Sequence, residues 1–314
     1  MNCSPLSPAE RLAASLVKGL RAELFLTPKP GLVDLLDSGS HPDLSLAKMT
    51  ASIDLVADYF ANLLAALAAG AGTAELIAIG CRAEERMFAS LGTNTHKGAI
   101  FLGGLLVVAR HRCPADDRRS LKATVAATGR EILAFSPRPA SNGQTARAVY
   151  RAGGIVAEAR GGLPSLFDIA LPAWFHGWRL CGCPQRANFF MLSRLMQTVE
   201  DTTTLHRCGR AGLAKIQRDG RLLEATLTEG FDPLPLLTGL NQEYRELNLT
   251  MGGVADLLGA TFGILDYEGY WLEEGMRPAE ESEGIAAQAE GSLDGSRVIT
   301  PPLNAPPART PLLA

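Results

Sequence analysis

The segment Gly92-Thr93-Asn94-Thr95-His96-Lys97-Gly98-Ala99-Ile100-Phe101 places two hydroxyls, an amide, an imidazole and a fixed positive charge side by side, directly before an apolar run. A polar turn feeding a helix start points backbone N–H groups outward, where anions bind. The segment therefore predicts a phosphate or nucleotide site. The alternative is a polar connection that caps a core helix, and spacing alone leaves both open.

Four further clusters carry chemistry. Lys29, Asp34, His41 and Asp43 share one Pro/Gly-rich loop. Glu84-Glu85-Arg86 lies just before Asn94. Glu158 sits between Gly153-Gly154 and Gly161-Gly162, and Glu200-Asp201 leads into three threonines, His206 and Arg207. A fifth cluster sets Asp256 after Gly252-Gly253 among Val254, Leu257 and Leu258. Each has a structural reading. Asp34 and Asp43 cap turns, Glu84 faces solvent, Glu158 pairs with Arg160 or Arg147, and Asp201 closes a helix end. Asp256 favours a helix N-terminus by roughly 0.3–1 kcal/mol. Acidic clusters that all border glycine or proline are read more simply as one shared site. Carboxylates suit Mg²⁺, a hard cation that takes oxygen ligands and bridges phosphates. Lys29, Lys97 and Arg207 suit the phosphate oxygens the metal leaves. There is no G-x-x-x-x-G-K-[ST] loop and no strand-borne G-x-G-x-x-G, so a nucleotide would sit in an all-helical pocket.

The elements that must position these residues read as helices. Ser7-Pro8-Ala9-Glu10 predicts a helix start with a capping box, and Leu12, Leu16, Leu20 and Leu24 follow at helical spacing. That helix stops before Pro28 and Pro30. Further helices are expected at 45–69, 74–90, 98–112, 121–135, 143–159, 188–198, 212–220, 236–248 and 253–265. Strand periodicity is almost absent. The fold class is all-α: a single multi-helix domain over 1–276, then a Pro/Ser/Glu-rich tail, 277–314, expected to be disordered.

Composition narrows the function. The 314 residues are 46% hydrophobic and carry a net charge of −3, with 6% aromatics. No global basic field points to nucleic acid. No run approaches the roughly 20 apolar residues of a bilayer span, and residues 1–10 lack a signal-peptide pattern. Six cysteines in this length make no disulfide framework, and Cys181-Gly-Cys183 has the wrong spacing for zinc. A reduced, cytoplasmic protein with no nucleic-acid or membrane partner is expected.

Six motifs, in order, carry a resemblance. They are Thr27-Pro-Lys-Pro-Gly-Leu-Val-Asp34, Gly39-Ser-His41-x-Asp43, Asn94-Thr-His-Lys-Gly-Ala-Ile-Phe101, Glu158 before Gly161-Gly162-x-Pro164, Asp201-Thr202, and Gly252-Gly253-x-Ala-Asp256-Leu-Leu258. Together they resemble the triphosphoribosyl-dephospho-CoA synthase family over about residues 10–270. The chain departs at Thr203, Cys208 and Thr250-Met251, where that family often has Asn, Gly and Ser-Pro, and at Arg160, where it sometimes has an acid. The resemblance implies an all-α transferase that moves the triphosphoribosyl group of ATP to the 2′-hydroxyl of 3′-dephospho-CoA and releases adenine. It implies Mg²⁺, with Asp34, Glu84, Asp201 and Asp256 as metal ligands or base. Glu158 is a further catalytic candidate, and His96 would protonate departing adenine. Lys29, His41, Asn94, Thr95, Lys97, Arg207, Gly252 and Gly253 would bind substrate. The product would pass to a holo-carrier-protein synthase, and a homodimer is compatible. His206-Arg207 is more similar to the malonate decarboxylase branch than to the citrate lyase branch. The competing readings are a helical Mg²⁺-dependent nucleotide phosphohydrolase and a non-catalytic binder of carrier proteins.

Overall fold

The computed structural model describes residues 5–135 and 142–270. These residues fall in one compact unit, Met1–Met276. The second unit, Arg277–Ala314, and the expectation of a disordered tail there lie outside the described residues. Twelve α-helices and no strand occur among the described residues.

The first helix, α1 (Pro8–Phe25), starts on the expected capping box: Ser7 and Glu10 satisfy each other's backbone N–H. Then come α2 (Leu46–Ala68), α3 (Thr73–Leu91), α4 (Lys97–Arg112) and α5 (Arg118–Phe135). The second half holds α6 (Asn142–Tyr150), α7 (Gly154–Gly161), α8 (Leu171–Cys181), α9 (Pro184–Thr198), α10 (Thr202–Thr228), α11 (Leu234–Glu246) and α12 (Gly252–Tyr267).

The middle stretches of α4 and α12 are apolar all round, as an enclosed stretch of helix must be. Residues Leu102 to Ala109 of α4 and Leu257 to Leu265 of α12 are buried without a break. Helix α4 touches α1, α2, α3, α5, α7 and α12, while α12 touches α1, α4, α9 and α10. The two helices that begin at the Lys97-Gly98 and Gly252-Gly253 motifs are thus the two central ones.

Glycines set the closest approach. Along the α1–α12 contact, a Cβ on Gly19 would lie 2.3 Å from the Gly263 nitrogen and 2.4 Å from the Gly259 oxygen. The two backbones touch there, and nothing larger than hydrogen fits.

Four expectations are corrected. The single helix expected at 143–159 is broken into α6 and α7, because Arg151 takes a φ of 54°. Helix α10 runs from Thr202 to Thr228, well beyond 212–220, and bends where Gly209 leaves helical geometry (φ 63°, ψ −161°). A segment not expected from the sequence runs through 165–181: a π-helical turn, Ser165–Ala170, followed by α8. Pro172 lacks an N–H and crowds the preceding turn. A wider π turn just before it accommodates this, as the Leu171 N–H to Leu166 oxygen bond shows. Finally, α2 is long and apolar enough by length and composition to cross a bilayer. Its Ile53, Val56, Phe60 and Leu63 are instead buried in the core, in a helix that packs on α1, α3 and α4.

The glycine contact makes a signed prediction. Alanine favours helix over glycine by about 1 kcal/mol, so Gly239→Ala, where nothing lies within 4 Å, should stabilise the protein by about 0.5–1 kcal/mol. Gly19→Ala should instead destabilise it by at least about 1 kcal/mol, through overpacking against α12. Urea unfolding of the two variants checks this, and a stabilised Gly19→Ala would mean the helices do not meet at that point.

Candidate active site

Neither central helix caps its own N-terminus. His96 before α4 and Met251 before α12 make no side-chain cap. The orphaned N–H groups are taken by carboxylates from elsewhere. Asp201, itself the N-cap of α10, accepts from the Thr203 N–H at 2.8 Å and the Thr204 N–H at 3.0 Å through Oδ1. Its Oδ2 accepts from the Val254 N–H at 2.9 Å, and the Gly253 N–H also donates. One 1% exposed side chain thereby ties together the starts of α10 and α12. Asp256 repeats the device for α4, accepting the Ala99 N–H. A Cβ on Gly98 would fall 1.8 Å from Asp256 Oδ2, which explains the glycine after Lys97.

A third carboxylate reaches the same place from α1. Glu23 is buried, and its Oε1 takes the fully buried Lys29 Nζ at 2.7 Å. Lys29 also donates to the Glu23 carbonyl. The α12 backbone at Gly259 lies against Glu23, since a Cβ there would be 3.5 Å from the Glu23 Cβ. Asp34 folds the Pro-Lys-Pro-Gly loop, accepting from the Lys29 N–H and the Leu36 N–H, both at 2.8 Å. Burial pushes the Asp256 carboxyl well above the usual range, and Glu23 and Asp201 push it further. Burial also raises Glu23, partly offset by Lys29, and raises Asp201 against the pull of its backbone donors.

His96 completes this centre. Its Nδ1 bonds the Ser52 hydroxyl. That hydroxyl donates its own proton to the Met49 carbonyl at 2.8 Å, so Nδ1 carries the hydrogen and Nε2 presents a lone pair. Nε2 is buried and has no partner among the described residues, and the same holds for Asn94 Oδ1. Buried polar atoms are rarely left unpaired, so two of them within one motif mark where a ligand fits. Burial first, then the Lys29 charge, lowers the His96 pKa to about 4. It is therefore neutral at pH 7, and the structure turns an acceptor inward where a proton donor to adenine was expected.

Other expected residues are placed differently. Lys29 spends its charge on Glu23 and faces no open pocket. Lys97 and Glu84 form a half-exposed ion pair at 2.6 Å, and Thr95 donates to Met87 Sδ at 3.5 Å. Glu158 pairs with neither arginine. It binds the Ser165 hydroxyl at 2.6 Å and the Ser165 N–H at 3.2 Å, joining α7 to the π turn. Arg207 donates to the Ser40 carbonyl at 2.9 Å and to His41 Nδ1 at 3.3 Å. His41 Nε2 reaches Thr250 Oγ1 at 2.8 Å, and Thr204 Oγ1 holds the Thr250 carbonyl at 2.7 Å. His41 and Ser40 line a cleft of about 870 Å³ together with Arg245 and Asn248. Sequence reasoning missed Glu23 and Ser52. The signal for Glu23 was a carboxylate between Leu20 and Leu24 on the apolar stripe of α1. Ser52 gave none.

Among the described residues no three His, Cys, Asp or Glu side chains form a group able to hold a metal. The carboxylates are thus not a ready-made cage. An all-oxygen, net negative donor set does fit a Mg²⁺ that keeps waters and shares its shell with substrate phosphates.

Burial holds both His41 and His96 at a pKa of about 4, with the neighbouring Arg207 adding to the effect at His41. Their folded pKa lies below the unfolded 6.5, so the stability they contribute is full above about pH 6.5. It is lost at about 1.4 kcal/mol per pH unit for each ring as pH falls toward 4. In ¹H–¹⁵N NMR titration these two imidazoles should stay neutral from pH 8 down to about 5. A midpoint near 6.5 for His96 would contradict the buried placement.

Comparison with known proteins shows the family. The ATP:dephospho-CoA triphosphoribosyl transferase family matches residues 9–275. A Pseudomonas putida protein is 34% identical over 273 residues, covering 81% of this chain and 94% of the relative. An Azotobacter vinelandii protein is 37% identical over 266 residues, with 81% and 90% covered. A Pseudomonas fluorescens protein is 35% identical over 280 residues, with 85% and 95% covered. All three carry the name "Probable 2-(5''-triphosphoribosyl)-3'-dephosphocoenzyme-A synthase". No solved structure matches the chain.

Proposed function

Because the chain belongs to the ATP:dephospho-CoA triphosphoribosyl transferase family, we propose that it joins C1′ of the ATP ribose to the 2′-oxygen of 3′-dephospho-CoA and releases adenine. The bond from C1′ to the purine nitrogen breaks, the bond from C1′ to the 2′-oxygen forms, and the hydroxyl proton ends on adenine. The single observation that carries this reading is the buried carboxylate centre, Asp201 and Asp256 on the starts of α10, α12 and α4, beside the unpaired Nε2 of His96.

Each demand of the reaction has a matching group. Breaking an N-glycosidic bond develops positive charge on the ribose, as in glycoside hydrolysis. Carboxylates fixed by backbone N–H groups stabilise that charge without reorganising. Asp256, made more basic by burial, takes the hydroxyl proton when ionised. His96 Nε2, as an acceptor, orients a substrate hydroxyl or the purine amine. Burial of His96 and Asp201 keeps water from C1′. Mg²⁺, held by Asp201 or Asp256 together with phosphate oxygens, would neutralise the triphosphate. His41 and Arg207, already tethered to each other, present the cleft beside Ser40 to the second substrate.

The pathway reading follows from His206-Arg207: the product serves the acyl-carrier subunit of malonate decarboxylase by way of a holo-carrier-protein synthase. Citrate lyase is the alternative client. A cytoplasmic setting fits the free thiols of Cys81, Cys113, Cys181, Cys183 and Cys208.

Chromatography of ATP and Mg²⁺ incubations, with and without dephospho-CoA, tests the reaction. Adenine should appear only when both substrates are present. Phosphate without adenine would replace this reading by a phosphohydrolase. Asp201→Asn and Asp256→Asn should each cut adenine release at least about 100-fold while keeping a cooperative thermal melt. Near wild-type turnover in both would remove these carboxylates from the chemistry.

A further inference from the structure

A second pocket of about 580 Å³ lies away from the Ser40 cleft, formed by α6, the link 151–153 and α7. Its wall includes Arg147, Gly153, Val156, Ala157 and Arg160, and no carboxylate lines it. Both arginines are unpaired among the described residues. Other arginines do find acids: Arg21 pairs with Asp54, Arg112 with Glu131, Arg118 with Glu268 and Arg245 with Asp37. The one acid on the same helix, Glu158, is committed to Ser165. A third guanidinium, Arg130, is held on the Arg160 carbonyl at 3.2 Å. Burial and the charge of Arg160 both lower the Arg147 pKa, the signature of a cation crowded by another without a counterion.

The pocket also adjoins the reaction centre. A Cβ on Gly154 would lie 3.4 Å from Arg147 Cδ and 2.6 Å from the Thr202 methyl carbon, so the arginine stem and Thr202 close on the same glycine. Thr202 directly follows Asp201. The Gly153 N–H donates to Glu200 Oε2 at 2.7 Å, tying the pocket's floor to the residue before Asp201. Two guanidiniums that repel each other are held together at one mouth. This costs free energy that a bound anion recovers, and the planar fork of arginine matches phosphate oxygens.

We propose that the Arg147–Arg160 pocket is a subsite for a nucleotide polyphosphate chain. It rests on the reaction proposed above for the identity of that chain: the triphosphate of ATP or the diphosphate of dephospho-CoA. The pocket holds the anion one residue from Asp201, so the ribose is anchored at the carboxylate centre by a charge the centre lacks.

Inorganic tripolyphosphate is the probe. Calorimetry on the full chain should show binding that weakens with added salt. The Arg147→Gln/Arg160→Gln variant should bind at least about tenfold more weakly, and Arg147→Lys/Arg160→Lys should retain part of the affinity. Steady-state adenine release then separates the sources. A raised KM for ATP alone assigns the triphosphate, and a raised KM for dephospho-CoA alone assigns the diphosphate. Equal tripolyphosphate binding by wild type and the Gln variant, or no binding by wild type, overturns the subsite. A wild type that binds tripolyphosphate in this pocket yet releases no adenine overturns the reaction and upholds the anion site. Arg160 is exposed, so Arg160→Gln alone keeps the test valid if the double variant does not fold.

Discussion

A carboxylate taken out of water must be compensated, at a cost of several kcal/mol otherwise. In this protein the compensation is the set of N–H groups that central helices leave unsatisfied at their starts. Asp201 receives four backbone donors from two helices, and Asp256 receives the Ala99 N–H of a third. Helix starts without their own caps and carboxylates without cations solve each other's problem. Removing one leaves the other buried and unmet, so the same contacts hold the fold and hold the chemistry.

That arrangement dictates the surrounding packing. For Asp256 to reach α4, residue 98 must lack a Cβ. For Glu23 to approach α12, α1 must run against it backbone to backbone, which Gly19, Gly259 and Gly263 permit. Lys29 supplies the internal cation of the centre by ion pairing with Glu23, at the cost of any contact with a ligand in this conformation. The centre therefore carries more negative than positive charge. It raises its own carboxyl pKa values, favours an arriving cation or a cationic ribose, and repels bare phosphate. Phosphate groups need positive charge placed elsewhere, and Arg147 of α6 and Arg160 of α7, without an acidic partner among the described residues, line a pocket beside Gly154, which lies against Thr202.

His96 shows how burial and one hydroxyl choose a role. The imidazole type allows donor, acceptor or acid. Ser52, by giving its proton to Met49, leaves His96 one tautomer. Loss of solvent then keeps it neutral near pH 7.

The sequence by itself determined the helical class, most helix starts, and the set of polar residues that matter. Caps, 3.6-residue periodicity and Gly/Pro punctuation are local, and local signals are readable one window at a time. It could not separate Asp201 and Asp256 from Glu84 and Glu158, since all four are acids near glycine. Nor could it see Glu23, hidden in an apolar stripe, or the break at Arg151 and the π turn before Pro172. Tertiary structure alone decided which carboxylates share a buried centre, that Lys29 faces Glu23 and not a phosphate, and that Arg147 and Arg160 go unpaired among the described residues. The reason is physical: desolvation and charge interaction depend on groups far apart in the chain, such as Glu23 and Asp256, and no spacing along the chain encodes that proximity.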